Sequence, residues 1–470
     1  MTRCFAPPLD FSKAFLRFPI KVKKLILINP VNKARPGLRG KKSSKVPPLG
    51  LGIVAALTPD DWDVKIIDEH FTEPTAEEAD LVGITACTAS ANRAYEVAKI
   101  YRDKNIPVVM GGIHASLLPR EASKYVDCVV VGEAEGVWPR VIADFESGNL
   151  KKIYKSEKID LYYMPIPRHD LFHKGYMFGA IQTARGCPMD CEFCSVTSFN
   201  GHTYRQRPVE NVLDEIEKIP QDLFFFVDDN IIGYSKSNSK RALDLFQGMI
   251  RRGIKKDWFC QASLNFADDE EVLKYAAKSG CRMVVLGLEA ENIESLKEAN
   301  KNLNLKMGVN SYENTFKKIH KYGIAVIGAF IYGFDSDTPE ILDKRMNYII
   351  DSGVDAVQTT FLTPLPGTRL FDKMQKEGRL LYTNFPSDWD YFDVINSAVF
   401  KPKLMDVTEL DLAMDKSNAK IGKSILKKFF KTIIATKNVR TAIWALITNI
   451  NYQTVRKRKT KFKGEKINTY

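Results

Sequence analysis

Between residues 23 and 147 short, nearly unbroken apolar runs alternate with helical patterns. KLILINPV (24–31), DVKIIDE (63–69), DLVGITACT (80–88), PVVMGGIH (107–114) and DCVVVGEAE (127–135) read as strands. LGLGIVAALT (49–58), NRAYEVAKIYRDK (92–104) and GVWPRVIADFE (136–146) read as helices, with PREASKY (119–125) between the last two strands. Strands that are apolar on both faces must be covered on both faces. This predicts an α/β fold with a doubly wound parallel sheet of the Rossmann or flavodoxin kind. Such a sheet takes ligands at the carboxyl ends of its strands. No G-x-G-x-x-G is present, so a dinucleotide is not indicated.

The alternation lapses over 151–176, which reads as a linker, and resumes at MFGAIQTARGC. Further strands are predicted at 178–184, 223–228, 258–263, 283–288, 325–331 and 355–361, with helices at 209–218, 240–252, 268–278 and 310–322. About six strand–helix units in roughly 210 residues fit a partial (β/α)6 barrel of the TIM type, whose chemistry sits where strands end. The expected divisions are an N-terminal arm (1–22), a first α/β domain (23–150), the linker (151–176), the partial barrel (177–385) and a helical C-terminal region (386–470).

The net charge of +12 is unevenly placed. Residues 401–470 hold 17 Lys+Arg and 5 Asp+Glu, whereas the other residues are balanced at 52 of each sign. A basic tail favours anionic partners: membrane headgroups, nucleic acid or an acidic protein. Ile425, Leu426, Phe429, Phe430, Ile433 and Ile434 share one apolar face at helical spacing, flanked by Lys427, Lys428 and Lys431. That pattern suits either a helix packed on the barrel or one lying on a membrane surface. RKRKTKFK (456–463) reads as a mobile basic end. Nucleic acid is the less favoured partner, because the basic residues are terminal and no aromatic-studded basic sheet or recognition helix accompanies them. No run of about 18 apolar residues suggests a spanning helix, and the N-terminus does not read as a secretory leader. The expectation is a reduced, cytoplasmic chain, open to membrane association through its tail.

Of the eight cysteines, five (Cys4, Cys87, Cys128, Cys260, Cys281) are scattered and form no disulfide framework. The other three, Cys187, Cys191 and Cys194, fall within RGCPMDCEFC (185–194) at C-x3-C-x2-C spacing. A structural zinc site wants four ligands and a redox pair wants two. Three thiolates suit a cubane iron–sulfur cluster with one iron left open for a substrate or cofactor. The competing reading is a zinc site completed by a distant residue.

The trio, with Phe193 before its last cysteine and RGCPMDCEFCSVTSFNGHTYRQRPVENVLDEI (185–216) around it, resembles the radical S-adenosylmethionine (radical SAM) enzymes. The resemblance implies that Cys187, Cys191 and Cys194 hold a 4Fe–4S cluster whose open iron chelates S-adenosylmethionine. Reductive cleavage then yields a 5′-deoxyadenosyl radical. It also implies cofactor contacts at later strand ends: Asp228 and Asp229 in FFFVDDN (224–230), Gln261 and Ser263 in CQAS (260–263), and Glu289 in LGLEA (286–290). A helix cap or a surface turn is the plainer alternative for one of the two aspartates. FIYGFDSDTPE (330–340) and TPLPGTRLF (363–371) resemble late-strand loops of the same enzymes.

The first domain resembles the cobalamin-binding domain that precedes the barrel in one class of these enzymes. The stretches are PPLGLGIVAAL (47–57), ADLVGITACTASANRAYEVA (79–98), VVMGGIHASLLPREA (108–122) and VVVGEAE (129–135). Gly111, Gly112, Gly132 and the adjoining Glu133 are the expected corrin neighbours, the glycines because bare backbone lets a flat ring approach. Thr85, Thr88 and Ser90 are candidates to bond the nucleotide tail, although Ser90 also suits a helix cap. The D-x-H-x-x-G that ligates cobalt in many such domains is missing. NPVNKARPG follows the first strand without a histidine, and His70, in DEH (68–70), reads as an ordinary loop residue. FDVINSAVFKPKLM (392–405) is similar to the trailing region of members that act on hopanoids.

The function implied is cobalamin-dependent radical methylation of an unactivated carbon in an apolar, lipid- or isoprenoid-like substrate. An electron donor such as ferredoxin or flavodoxin is implied with it. A same-family cyclase or oxidoreductase that transfers no methyl is the alternative. A cluster-containing nucleic-acid-binding protein is the remote one.

Overall fold

The computed structural model describes residues 22–33 and 45–463, with side chains to residue 454. Nearly all of the N-terminal arm and part of the loop after the first strand lie outside the described residues.

The first sheet has strands β1 (Lys23–Asn29), β2 (Trp62–Asp68), β3 (Leu81–Thr85), β4 (Val108–Gly111), β5 (Cys128–Val131) and β6 (Ile153–Lys155), all parallel, in the order β2-β1-β3-β4-β5-β6. The order reverses between β1 and β3, the crevice where sheets of this kind bind ligands. Alternate residues supply two cores. Leu25, Leu27, Val109 and Val130 pack with Trp62, Trp138 and Leu51 on one face. Ile26, Ile28, Val82, Ile84 and Met110 face the other way and join a core continuous with the barrel. Burial on both faces explains the unbroken apolar runs. The sixth strand lies in the stretch read as a linker: only three residues long, IYK, it pairs with β5 and carries no period of its own. The run 107–114 stops being a strand at Gly111, and Ile113–Leu117 is helical.

The second sheet has β7 (Gly179–Ile181), then a small antiparallel pair, β8 (Ala184–Arg185) with β9 (Arg205–Gln206), and then β10 (Leu223–Phe226), β11 (Asp257–Ala262), β12 (Cys281–Glu289), β13 (Ala325–Tyr332) and β14 (Ala356–Phe361). Strands β7 and β10 to β14 are parallel and follow chain order, an open six-stranded partial barrel. Helices lie between successive strands; Asp269 caps Glu270–Lys278 and Thr338 caps Pro339–Asp351 through their side chains.

Two long helices, Val407–Thr436 and Val439–Lys463, end the described chain. The backbone of the RKRKTKFK run is part of the second, and its side chains lie outside the described residues. That second helix places Trp444 and Ala445 against Met283, Ala325, Ile327 and Ala356 of β12 to β14. The helix Val407–Thr436 buries Leu410, Met414 and Ile421 in the core and adds polar contacts to the barrel from Ser417 onward. Tyr332 and Ser417 hydroxyls lie 2.7 Å apart, the Lys428 ammonium donates to the carbonyls of Ile349 and Val354, and Thr432 donates to Asp355 at 2.7 Å. Leu426, Phe430 and Ile434 point to solvent. The apolar face seen in the sequence is therefore not the packed one. Carbonyls in the last turn of the helix Pro339–Asp351 and just before β14, and the Asp355 carboxylate, need donors, and polar side chains supply them.

Candidate functional site

The carboxyl ends of β1, β3, β4 and β5 and the loop after β7 enclose a cavity of about 300 Å³. From the first sheet come Leu27, Gly83, Thr85, Gly111, Gly112, Gly132 and Glu133. From the barrel come Gln182, Arg185, Phe199, Asn200 and Val227. Gly112 has φ +92°, and a Cβ there would sit 2.8 Å from the Ala86 carbonyl oxygen and from the Thr85 hydroxyl. Only glycine fits. At Gly111 the nearest atom to an added Cβ is 3.9 Å away. Ion pairs cross the rim: Arg185 Nη2 donates to Glu135 at 2.6 Å, and Arg205 donates to Glu133. Charges on Arg205 and Arg185 hold the Glu133 carboxyl below its usual range against the opposing effect of burial.

The cysteine loop follows β8. Gly186 (φ +91°) lies against Thr203, whose carbonyl oxygen would be 2.2 Å from an added Cβ. Cys194 is the residue before the helix Ser195–Asn200. The loop between is gripped from outside. Glu192 N–H donates to the Ala299 carbonyl, Asn300 Nδ2 donates to the Asp190 carbonyl at 2.7 Å, and Arg369 Nη1 donates to both Asp190 carboxylate oxygens. Cys187 Sγ lies 3.0 Å from the Tyr234 hydroxyl. Burial pushes the Cys191 thiol up to about 11, with nearby Lys301 acting against it. Burial also raises the Cys194 thiol, opposed by the N–H groups of Val196 and Thr197. Phe193 packs on the core and lines a second cavity with Glu298, Phe334 and Asp335.

Asp228 is neither a helix cap nor a surface turn. Its Oδ1 accepts from the N–H groups of Thr183 and Ala184, and burial pushes its carboxyl up to about 7. It acts on the backbone leading into the cysteine loop. Asp229 bonds the Gly186 N–H, and burial raises its carboxyl to about 6. Gln261 gives its backbone carbonyl to Ile231, and Ser263 Oγ stands 3.5 Å from Asn230 Nδ2. Glu289 has φ +60° at an irregularity in the β12–β13 pairing, a strained conformation of the kind that collects at functional sites. Its carboxylate accepts from Lys301 at 2.6 Å. Burial disfavours the Lys301 charge, but Glu289 and Cys191 outweigh it and hold the ammonium well above its usual value.

Thr88 and Ser90 do not line the cavity. Thr88 is buried beside His114, 3.5 Å from Nδ1, and Ser90 bonds the Cys87 carbonyl instead of capping Ala91–Arg102 with its side chain. His70 bonds Asp68 and does not line the cavity. Sequence reasoning missed Tyr234, Asn300, Lys301 and Arg369. EANKN (298–302), a polar run after a strand end, was the signal available for two of them.

The donor set suits the expected groups. Among the described residues no three His, Cys, Asp or Glu side chains are gathered around a single point. The trio's thiols form no disulfide and are half-buried. Cluster ligands are spread over several irons and need no such convergence. The glycine-floored slot is apolar within and polar at its rim, as a corrin with a nucleotide tail requires.

Two family models match: a B12 binding domain over residues 37–142 and the radical SAM superfamily over 181–349. The chain is similar to a bacteriochlorophyllide d C-12(1)-methyltransferase of Chlorobaculum tepidum, 30% identical over 81% of this chain and 83% of the relative. It is similar to a hopanoid C-2 methylase of Rhodopseudomonas palustris, 30% identical over 72% of this chain and 66% of the relative. In fold it is similar to the cobalamin-dependent S-adenosylmethionine radical enzyme OxsB, with TM-score 0.66 and 13% identity over 95% of this chain and 81% of that one. Its cofactors are a 4Fe–4S cluster, S-adenosylmethionine and cobalamin. By these matches, and with a slot lined by residues that flank the cysteine loop, the chain belongs to the cobalamin-binding radical SAM methyltransferase family.

Proposed function

We propose that this enzyme methylates an unactivated carbon of an apolar, lipid- or isoprenoid-like substrate. The observation that carries the reading is that residues flanking the cysteine loop, Arg185, Phe199 and Asn200, line the glycine-floored slot, with Arg185 tied to Glu135. When bound, the three cofactors supply hydrogen abstraction and methyl donation, which acid–base groups cannot do at a carbon without useful acidity. In this reading Cys187, Cys191 and Cys194 hold the cluster. Asn300 and Arg369 fix their loop from outside, while Asp228 and Asp229 fix the backbone that leads into it. Glu289, Lys301, Ser263 and Gln261 face S-adenosylmethionine. Gly111, Gly112, Gly132 and Thr85 floor the corrin site, and Glu133 holds its rim closed. Support for the substrate class comes from the similarity to a hopanoid methylase and from the basic C-terminal region, which suits peripheral contact with a membrane.

The test is anaerobic reconstitution with iron, sulfide, cobalamin and S-adenosylmethionine carrying a deuterated methyl group. 5′-Deoxyadenosine formation that a Cys191→Ala variant lacks, with the label in a lipid product, is the expected result. Absence of 5′-deoxyadenosine rejects the reading. Turnover without label transfer replaces it with a radical cyclase or oxidoreductase. A deletion strain lacking one methylene in a lipid would name the substrate.

A further inference from the structure

Over its last turns the helix Val407–Thr436 turns a polar side (Ser424, Lys428, Thr432, Thr436) to the protein and an apolar line to water, whereas its first turns bury Leu410, Met414 and Ile421. Leu426, Phe430 and Ile434 are 67%, 61% and 77% exposed, and their four-residue spacing sets them in one line along the last turns. Val439, 55% exposed, continues the apolar end into the next helix. Packing does not require these residues, because the buried side is satisfied by Ser417, Lys428 and Thr432. An apolar line left bare in water is costly and marks a contact surface.

The same end of the helix is basic. Lys423, Lys431 and Lys437 are exposed and have no carboxylate partner among the described residues. Lys427 has only Asp351, at 4.0 Å, with both side chains largely exposed, an arrangement that contributes little. We propose that this stripe lies on an anionic lipid surface: Leu426, Phe430 and Ile434 enter the headgroup boundary, and Lys423, Lys427, Lys431 and Lys437 reach the lipid phosphates. Charge selects this occupant. A second copy of the chain on the stripe would set the same lysines against one another across a two-fold contact. No described helix is long and apolar enough to cross a membrane, so the contact is one of lying on the surface. The inference deepens the lipid-substrate reading, but vesicle binding is measured without turnover, so either can fail alone.

The experiment is flotation of the full-length holoenzyme with vesicles of phosphatidylglycerol and phosphatidylcholine, or of phosphatidylcholine alone, at low and high salt. The wild type is expected to float with the anionic vesicles and to be partly released by salt. Phe430→Glu with Ile434→Glu should lower the bound fraction about tenfold, with cluster and corrin absorbance retained. Lys423→Glu with Lys431→Glu should abolish the preference for anionic over neutral vesicles. Absence of flotation, equal binding by wild type and both double variants, or a dimer in sedimentation that the Phe430→Glu, Ile434→Glu variant dissociates would each overturn the proposal.

Discussion

Arg185 stands two residues before the first cysteine of the trio and donates to Glu135, beyond the end of β5, at 2.6 Å. One ion pair thus ties the start of the cysteine loop to the rim of the first sheet's slot. Both side chains are nearly buried, and Glu133 adds a second carboxylate 3.4 Å from the same guanidinium.

Arg185→Ala leaves Glu135 buried without its cation. Losing one partner of such a pair costs about 3 kcal/mol. A lower midpoint in urea and a smaller fraction of retained corrin absorbance are expected together.

Two adjacent glycines separate fold from cofactor. Gly112→Ala meets the Ala86 carbonyl oxygen at 2.8 Å with φ +92° and should destabilise the protein by about 1–3 kcal/mol. Gly111→Ala meets nothing closer than 3.9 Å and faces the cavity. Its melting temperature should stay near wild type while cobalamin retention falls, which a thermal scan and a corrin spectrum read separately.

Lys301→Met should lower 5′-deoxyadenosine formation about 100-fold, the scale for residues that orient a metal site's surroundings. Lys301→Arg should recover part of it. Unchanged iron content with an altered electron paramagnetic resonance signal on adding S-adenosylmethionine would distinguish a positioning role from loss of the cluster.

Asp228 sets a pH dependence with a definite sign. Its carboxyl is raised from an ordinary 3.8 to about 7 by burial, so between these values the folded protein binds more protons than the unfolded chain. Its contribution to stability is fully present below about 4, is lost as pH rises to about 7, and is level above that. For the protein without cofactors the span is on the order of 4 kcal/mol. Asp228→Asn, which keeps an acceptor for Thr183 and Ala184, should flatten the urea midpoint against pH over that window.

The strands were legible because both faces of each sheet are covered: Leu25 to Ile28 are apolar without a break and fully buried. Strand β6 was not, since three residues with one buried tyrosine carry no period. The cysteine trio announces itself by spacing, whereas Lys301 becomes visible only when β12 brings Glu289 beside it. Thr88 and Ser90 are candidates whose hydroxyls the fold engages within the first domain. Hydroxyls after a strand look like ligand donors, yet these two are taken up by His114 and the Cys87 carbonyl. The helix Val407–Thr436 leaves two readings open for a related reason. Periodicity shows that a face is apolar but not which neighbour it meets, and here the neighbour offers carbonyls that call for Lys428.

Trp389 donates its indole N–H to Glu121, and the nearby backbone takes hydrogen bonds from Asn92 and Asn32 of the first unit. The tryptophan lies 268 residues after the glutamate. On a ribosome the first sheet is complete long before that indole is made, and N-terminal units fold first during synthesis. The fastening that Trp389 gives the first sheet can therefore form only after the whole barrel has been synthesised.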